Sequence, residues 1–168
     1  MVTERVPLRD VFVDTSVLLS ALIDFGARSA AALTLFDAIV ASKDRRPKTS
    51  WHCCLEVYSV ATRLPEEFRL RPSEVVSLLE AEVLGRFDVV DLPAPARLEF
   101  LRQSGREGIA GGRLYDAHIG ATARASRARL IITENRRDFE RLARDGGVRV
   151  VDADGSLRLV ERGPRPRA

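Results

Sequence analysis

The 168-residue chain has little of what builds disulfide or zinc frameworks: two cysteines, Cys53 and Cys54, and two histidines, His52 and His118. Adjacent cysteines rarely pair, because the resulting ring is strained, and metal-binding cysteines usually come as spaced pairs with further ligands. Both cysteines are therefore predicted to be packing residues on a helix, in a reducing compartment. The histidines fit no zinc-ligand spacing, so both are predicted to be structural.

Long apolar runs are also missing. No stretch approaches the roughly 18 apolar residues that cross a bilayer, and the first five residues lead toward a predicted strand without an apolar signal-peptide core. These absences favour a cytoplasmic protein without a membrane partner. The glycines of residues 105–112 precede no GK[ST] sequence, and Ser16 lies in no GxSxG elbow. A P-loop nucleotide site and a serine hydrolase are therefore disfavoured.

What the chain does contain is typical of one globular domain. Hydrophobic residues make up 45% and charged residues 30%, and the net charge is +3 with a pI near 9.3. The mild basic excess is compatible with a nucleic-acid partner but does not require one. We expect a single domain over residues 1–155 and a flexible Pro/Arg-rich tail over residues 156–168.

Short β-branched or apolar runs alternate with helical patterns along the chain. Strands are predicted at residues 11–13, 49–51, 87–92, 130–133 and 148–151, and helices at residues 16–42 (with a break at 24–26), 53–64, 72–84, 93–104, 114–128 and 137–144. Leu55, Tyr58, Ala61 and Thr62 share one face of the third helical segment. The alternation predicts an α/β fold, a three-layer α/β/α sandwich with a central, mostly parallel sheet.

Four carboxylates are placed where such a sheet binds ligands. Asp14 ends the first strand, Glu56 lies in a mostly apolar helical stretch, Asp116 follows the glycine loop, and Asp138 comes shortly after the buried run Leu130–Ile132. Each has an ordinary structural alternative. Asp14 or Asp138 could cap a helix, and Glu56 could lie on the polar side of one. Asp116 could be stabilised by the dipole at the N-terminus of its helix.

Together the four carboxylates point to a metal site. Carboxylates within a few ångströms of one another repel, and some stay protonated unless a cation neutralises them. Hard divalent cations prefer oxygen ligands, and such an ion can activate water and stabilise charge on a phosphodiester. The substrate would then be a polyanion held by arginines, for which Arg113, Arg136 and Arg137 are candidates.

Four motifs occur in an order that resembles the PIN-domain ribonucleases, and within them the VapC-type toxins of bacterial toxin–antitoxin pairs. They are VFVDTSVLL, CLEVYSVATRLP, GGRLYDAHIGATA and LIITENRRDFERL. The resemblance covers residues 11 to about 152. It implies a compact α/β/α domain that cleaves RNA with Mg²⁺ or Mn²⁺.

The resemblance also assigns residues. Asp14, Glu56 and Asp116 match the family's three main acidic positions, and Thr15 or Ser16 matches the polar position after the first aspartate, which supports the site and its substrate by hydrogen bonding. The fourth position falls on Asn135, where the family often has an aspartate or an asparagine. Asp138 is the nearby carboxylate, and the choice between these two stays open.

The resemblance implies partners too: an RNA substrate, a second copy of the chain in a homodimer, and a cognate antitoxin of the VapB type. The helices over residues 28–42 and after Pro72 are where an antitoxin groove is expected. Two alternatives stay open, a housekeeping PIN ribonuclease without an antitoxin and a catalytically silent PIN domain that binds RNA or protein. Retention of all three acids argues against a silent binder. A phosphatase with an aspartyl nucleophile would need a second aspartate where this chain has Ser16.

Overall fold

A computed structural model describes residues 5–42, 46–140 and 147–160. Within them the chain forms a parallel sheet of five three-residue strands, in the order β3-β2-β1-β4-β5. The strands are β1 (Val11–Val13), β2 (Lys48–Ser50), β3 (Asp88–Val90), β4 (Leu130–Ile132) and β5 (Arg149–Val151). The predicted fold class is confirmed, and each predicted strand overlaps an observed one.

Burial explains the strand order. All six residues of β1 and β4 are buried, as expected for apolar runs covered by helices on both faces. The edge strands β3 and β5 carry partly exposed residues. In the central pair, Val11, Phe12 and Val13 lie beside Leu130, Ile131 and Ile132, respectively.

Helices cover the two faces of the sheet. They are α1 (Thr15–Leu22), α2 (Ala30–Ala41), α3 (Trp51–Ala61), α4 (Pro72–Leu78, continued as a π-helix over Leu79–Leu84), α5 (Ala94–Arg106) and α6 (Arg113–Ala125), with short 3₁₀ segments at Leu8–Asp10, Gly26–Ser29 and Arg136–Phe139 and a final short helix at Ala153–Ser156. Right-handed crossovers place α1 to α4 on one face and α5, α6 and the segment Arg136–Phe139 on the other. The observed packing of α1 against α2 and α3, and of α6 against α5 and Arg136–Phe139, agrees with this arrangement.

Local chemistry sets several helix boundaries. The predicted break after α1 falls at Gly26, whose φ of +69° favours glycine. Ser50 caps α3 by accepting a hydrogen bond from the Cys53 amide at 3.1 Å. Pro72 begins α4, where its missing N–H costs nothing.

One predicted helix face is wrong. On α3 the buried side chains are Cys53, Cys54, Val57 and Ala61, so the cysteines pack as predicted. Leu55 and Tyr58, which were expected to share the face of Ala61, are instead 53% and 38% exposed. The pattern failed because helical spacing defines more than one apolar stripe on this segment, and the stripe formed by Cys53, Cys54, Val57 and Ala61 is the buried one.

The folded part of the chain extends past residue 156, where the flexible tail was expected to begin. Ser156 and Val160 are buried, and Val160 forms a β-bridge with Val6. Residues 161–168, and residues 141–144 of the helix predicted at 137–144, lie outside the described residues. Among the described helices, none has the length and apolarity needed to cross a membrane.

Candidate active site

The candidate site lies at the carboxyl ends of β1 and β4. These neighbouring strands lead to helices on opposite faces of the sheet, which makes the crevice between them a topological switch point, the usual ligand site of open α/β sheets. Asp14 follows β1, and its amide donates to the Ile132 carbonyl of β4 at 2.9 Å. Thr133, the residue after β4, is therefore held next to Asp14.

Two hydroxyl groups orient the Asp14 carboxylate. Ser16 Oγ and Thr133 Oγ1 both donate to Asp14 Oδ2, at 2.9 and 2.8 Å. Asp14 precedes α1 as its N-cap residue, but its side chain makes no capping hydrogen bond. The carboxylate therefore faces the crevice, and Asp14 is not a side-chain cap of α1.

The electrostatics of Asp14 follow from its burial. The residue is only 4% exposed, and this desolvation raises the pKa of its carboxyl. Hydrogen bonds from Thr133 and Ser16 lower the pKa, while the Glu56 charge raises it. The raised pKa shows that burial outweighs the hydroxyl donors, so a nearby positive charge would stabilise the ionised form.

Glu56 is brought to the same crevice by α3. Thr15 Oγ1 donates to Glu56 Oε2 at 2.6 Å, across 41 residues of sequence. Helix α1 begins at Thr15, so Thr15 and Ser16 lie in its first turn. Their hydroxyls donate to the two carboxylates, that of Thr15 to Glu56 and that of Ser16 to Asp14.

Asp116 completes the cluster from the first turn of α6. Its pKa is raised to about 6, first by burial and then by the charges of Asp138, Asp14 and Glu56, against a smaller opposing effect of His52. Asp14, Glu56 and Asp116 therefore repel one another, and Asp138 repels Asp116. The four acids that the sequence singled out thus belong to one electrostatic cluster.

The two candidates for the fourth position differ in their surroundings. Asp138 lies in the 3₁₀ segment Arg136–Phe139, and its charge acts directly on Asp116. Asn135 is exposed, and its backbone amide donates to Thr133 Oγ1 at 3.0 Å. Asp138 is thus coupled to the acid cluster, whereas Asn135 contributes through its backbone to the Thr133 hydroxyl that orients Asp14.

The donor set fits a hard divalent cation. Every side chain of the cluster offers carboxylate oxygens, and mutual repulsion raises the pKa of Asp116. In the described parts of the chain no three or more His, Cys, Asp or Glu side chains are arranged so that they could hold a metal ion together. Mg²⁺ commonly takes only one or two protein carboxylates and keeps several waters, so the cluster suits it without a full cage.

Arginines border the cluster on one side. Arg113 and Arg137 join Asp116 and Asp138 in lining a cavity of about 740 Å³ between α5 and α6. Arg136 is directed elsewhere, with its guanidinium 3.7 Å from Asp152. Of the predicted phosphate contacts, Arg113 and Arg137 therefore share a cavity with two of the acids, Asp116 and Asp138.

Thr133 is a site residue that was not predicted from the sequence. Its hydroxyl contacts Asp14, and it accepts from the Asn135 amide. A polar residue that ends an all-apolar strand is the signal that could have identified it. Ser16 also accepts from the Glu134 amide at 3.0 Å, so the segments after β1 and β4 are joined by one hydroxyl network.

Comparison with known proteins adds independent information. Residues 11–145 match the model of the PIN domain. The chain is 32% identical over 125 residues to Ribonuclease VapC27 of Mycobacterium tuberculosis, covering 74% of this chain and 84% of that protein. It is 30% identical over 131 residues to Ribonuclease VapC40 of the same species, covering 77% and 91%.

Solved structures share the fold. The DNA-bound VapBC complex of Salmonella typhimurium contains a chain with a TM-score of 0.58 and 22% identity, covering 85% of this chain and 97% of that one. Mycobacterium tuberculosis VapC20, a toxin that cleaves the sarcin-ricin loop, gives a TM-score of 0.59 at 18% identity, covering 82% and 96%.

Proposed function

The chain belongs to the PIN domain family, and from this premise we propose that it is a metal-dependent RNA endonuclease, the toxin of a VapBC-type pair. The observation that carries the proposal is the convergence of Asp14, Glu56 and Asp116 at the switch point, where each repels the others. Two relatives that are at least 30% identical over most of their length are named ribonucleases. A purely structural role would not favour a cluster of uncompensated carboxylates.

Asp14, Glu56 and Asp116 would hold a Mg²⁺ or Mn²⁺ ion, with Asp138 or Asn135 at the fourth position. When bound, the ion supplies Lewis-acid stabilisation of the negative charge that develops on the phosphodiester. The protein side chains do the rest. Thr133 and Ser16 fix the orientation of Asp14, Thr15 fixes Glu56, and Arg113 and Arg137 hold the phosphates of the strand.

The proposed role carries expectations about partners. A toxin of this type acts on cytoplasmic RNA as a homodimer and is inhibited by an antitoxin encoded beside it. The solved relatives include toxin–antitoxin complexes from Salmonella typhimurium and from nontypeable Haemophilus influenzae. Co-expression with the product of a small neighbouring gene should yield a stable complex with suppressed cleavage. Cleavage with no inhibitory neighbour would identify a housekeeping ribonuclease instead.

The test is cleavage of total RNA by the purified protein with Mg²⁺, with Mn²⁺ and with a chelator. We expect metal-dependent cleavage that is lost in Asp14→Asn and retained in Asp37→Asn, a control at an exposed aspartate of α2. Cleavage that survives both the chelator and Asp14→Asn would contradict the proposed chemistry. RNA binding by folded wild-type protein without cleavage would favour a silent binding domain.

A further inference from the structure

An aromatic stack borders the carboxylate cluster. His52 lies on α3 one helical turn before Glu56, and Tyr115 on α6 immediately precedes Asp116. Their ring centroids are 5.2 Å apart with an interplanar angle of 18°, so the rings are stacked nearly parallel. The stack thus joins the two helices that carry two of the proposed metal ligands.

The Tyr115 ring is supported from one side and open on the other. His52 covers one face of the ring, yet Tyr115 remains 55% exposed. Behind His52, the ring of His118 makes edge contacts with His52 and with Phe100, at centroid distances of 5.7 and 5.4 Å. Three further rings therefore stand in succession behind Tyr115, and the residue remains accessible on its outer side.

We propose that Tyr115, backed by His52, is a stacking platform for an unpaired base of the RNA, next to the phosphodiester held at the acids. The inference rests on the proposed ribonuclease function. Single-stranded RNA is characteristically bound by stacking of its bases on aromatic side chains, which every base can do because each has a π-face. An exposed ring that is backed by a second ring beside the acid cluster meets that requirement.

Charge around Tyr115 favours a nucleic-acid strand as the occupant. Arg113 is exposed two residues before Tyr115 on the same helix, and it lines the cavity that Asp116 also borders. A strand whose base rests on Tyr115 could therefore place one phosphate near Arg113 and another at the carboxylates. The platform positions the strand without selecting a base, because stacking alone reads no hydrogen-bonding edge.

The test uses the Asp14→Asn background, which keeps RNA intact while binding is measured. A short single-stranded RNA carrying 2-aminopurine is titrated into protein with Tyr115 retained or replaced by Ala, Phe or Trp. We expect Tyr115→Ala to weaken binding about 5- to 150-fold, the range for loss of one stacked base, and to abolish 2-aminopurine quenching. Tyr115→Phe and Tyr115→Trp should retain both, which shows that a planar ring suffices.

Two controls separate stacking from a general defect. Tyr58→Ala removes the other tyrosine, which is partly exposed two turns along α3 from His52, and should leave binding unchanged. Fully paired duplex RNA should bind equally to Tyr115→Ala and its parent, because its bases are already stacked. In the active protein, Tyr115→Ala should raise KM for single-stranded RNA and leave the metal requirement unaltered.

Three results would overturn the proposal. In the first, Tyr115→Ala binds RNA and quenches 2-aminopurine as its parent does, while the wild-type protein cleaves RNA. Tyr115 is then not a stacking platform, and the nuclease assignment stands. Conversion of a dimer to a monomer by Tyr115→Ala, with unchanged RNA binding per protomer, would assign the ring to contact with a second copy. Absence of both RNA binding and cleavage in the folded wild type would end both proposals together.

Discussion

Replacing Asp116 by asparagine should stabilise the metal-free protein while it abolishes cleavage. Asp116 is half-buried, and burial together with the charges of Asp138, Asp14 and Glu56 raises its pKa from 3.8 to about 6. Between these two values the folded state binds more protons than the unfolded state. The wild type therefore loses stability as the pH rises through this window, and at pH 8 the ionised carboxylate is fully unfavourable.

The magnitude follows from the pKa. A rise of about two units corresponds to about 3 kcal/mol, and solvent screening of a half-exposed side chain reduces this to about 1–2 kcal/mol. Asparagine has nearly the same shape and no charge, so Asp116→Asn should recover that amount at pH 8. For a chain of this size the melting temperature should rise by about 2–8 °C.

Thermal unfolding with a chelator, at pH 8 and at pH 3.5, measures the effect. The stabilisation should be present at pH 8 and nearly absent at pH 3.5, below both pKa values, where Asp116 is mostly protonated in both states of the wild type. Mg²⁺ should raise the melting temperature of the wild type at pH 8 more than that of Asp116→Asn, because ligand binding stabilises only the native state that binds it. The exposed-site control Asp37→Asn should show none of these differences. A neutral or destabilising Asp116→Asn at pH 8, or an equal gain at both pH values, would refute the electrostatic account.

Three further predictions concern the residues around the cluster. Thr133→Val should destabilise the fold by about 1–3 kcal/mol and move the acidic limb of the pH–rate profile to higher pH. The reason is that the hydrogen bond from Thr133 lowers the pKa of Asp14 in the wild type, so its loss lets that pKa rise; Thr133→Ser should restore the wild-type profile in the same assay. Thr15→Val should reduce the cleavage rate about tenfold with an unchanged circular dichroism spectrum, since Glu56 loses its 2.6 Å hydrogen bond, and an unchanged rate would show that Glu56 needs no such support. Cys54, whose pKa burial raises to about 11, should react with iodoacetamide at pH 8 only after unfolding, as mass spectrometry would reveal.

Much of the fold was predictable because its strongest signals are local. The all-apolar runs of β1 and β4 identify strands buried on both faces, and the alternation with helices then determines a parallel sheet with right-handed crossovers. The acids could be singled out for the same reason, since Asp14 directly follows β1 and Asp116 lies in the first turn of α6.

What the sequence could not supply is contact between distant segments. The bonds from Thr15 to Glu56 and from Thr133 to Asp14 span 41 and 119 residues, and no periodicity within one helix or strand encodes them. The stack of Tyr115 on His52 likewise depends on how α3 and α6 meet. The exposed face of α3 was mispredicted because helical spacing defines an apolar stripe but does not tell which stripe contacts the sheet.

The contacts that orient the acids are themselves informative about function. Ser16 and Thr133 hold Asp14, and Thr15 holds Glu56, so the donors in each case are neutral hydroxyl groups. A lysine or arginine in their place would neutralise the charge that a divalent cation needs. Hydroxyl donors fix the direction of a carboxylate and leave its charge in place. The repulsion that destabilises the metal-free site and the affinity proposed for a divalent ion therefore have one physical origin, which is why loss of cleavage and gain of stability should occur together in Asp116→Asn.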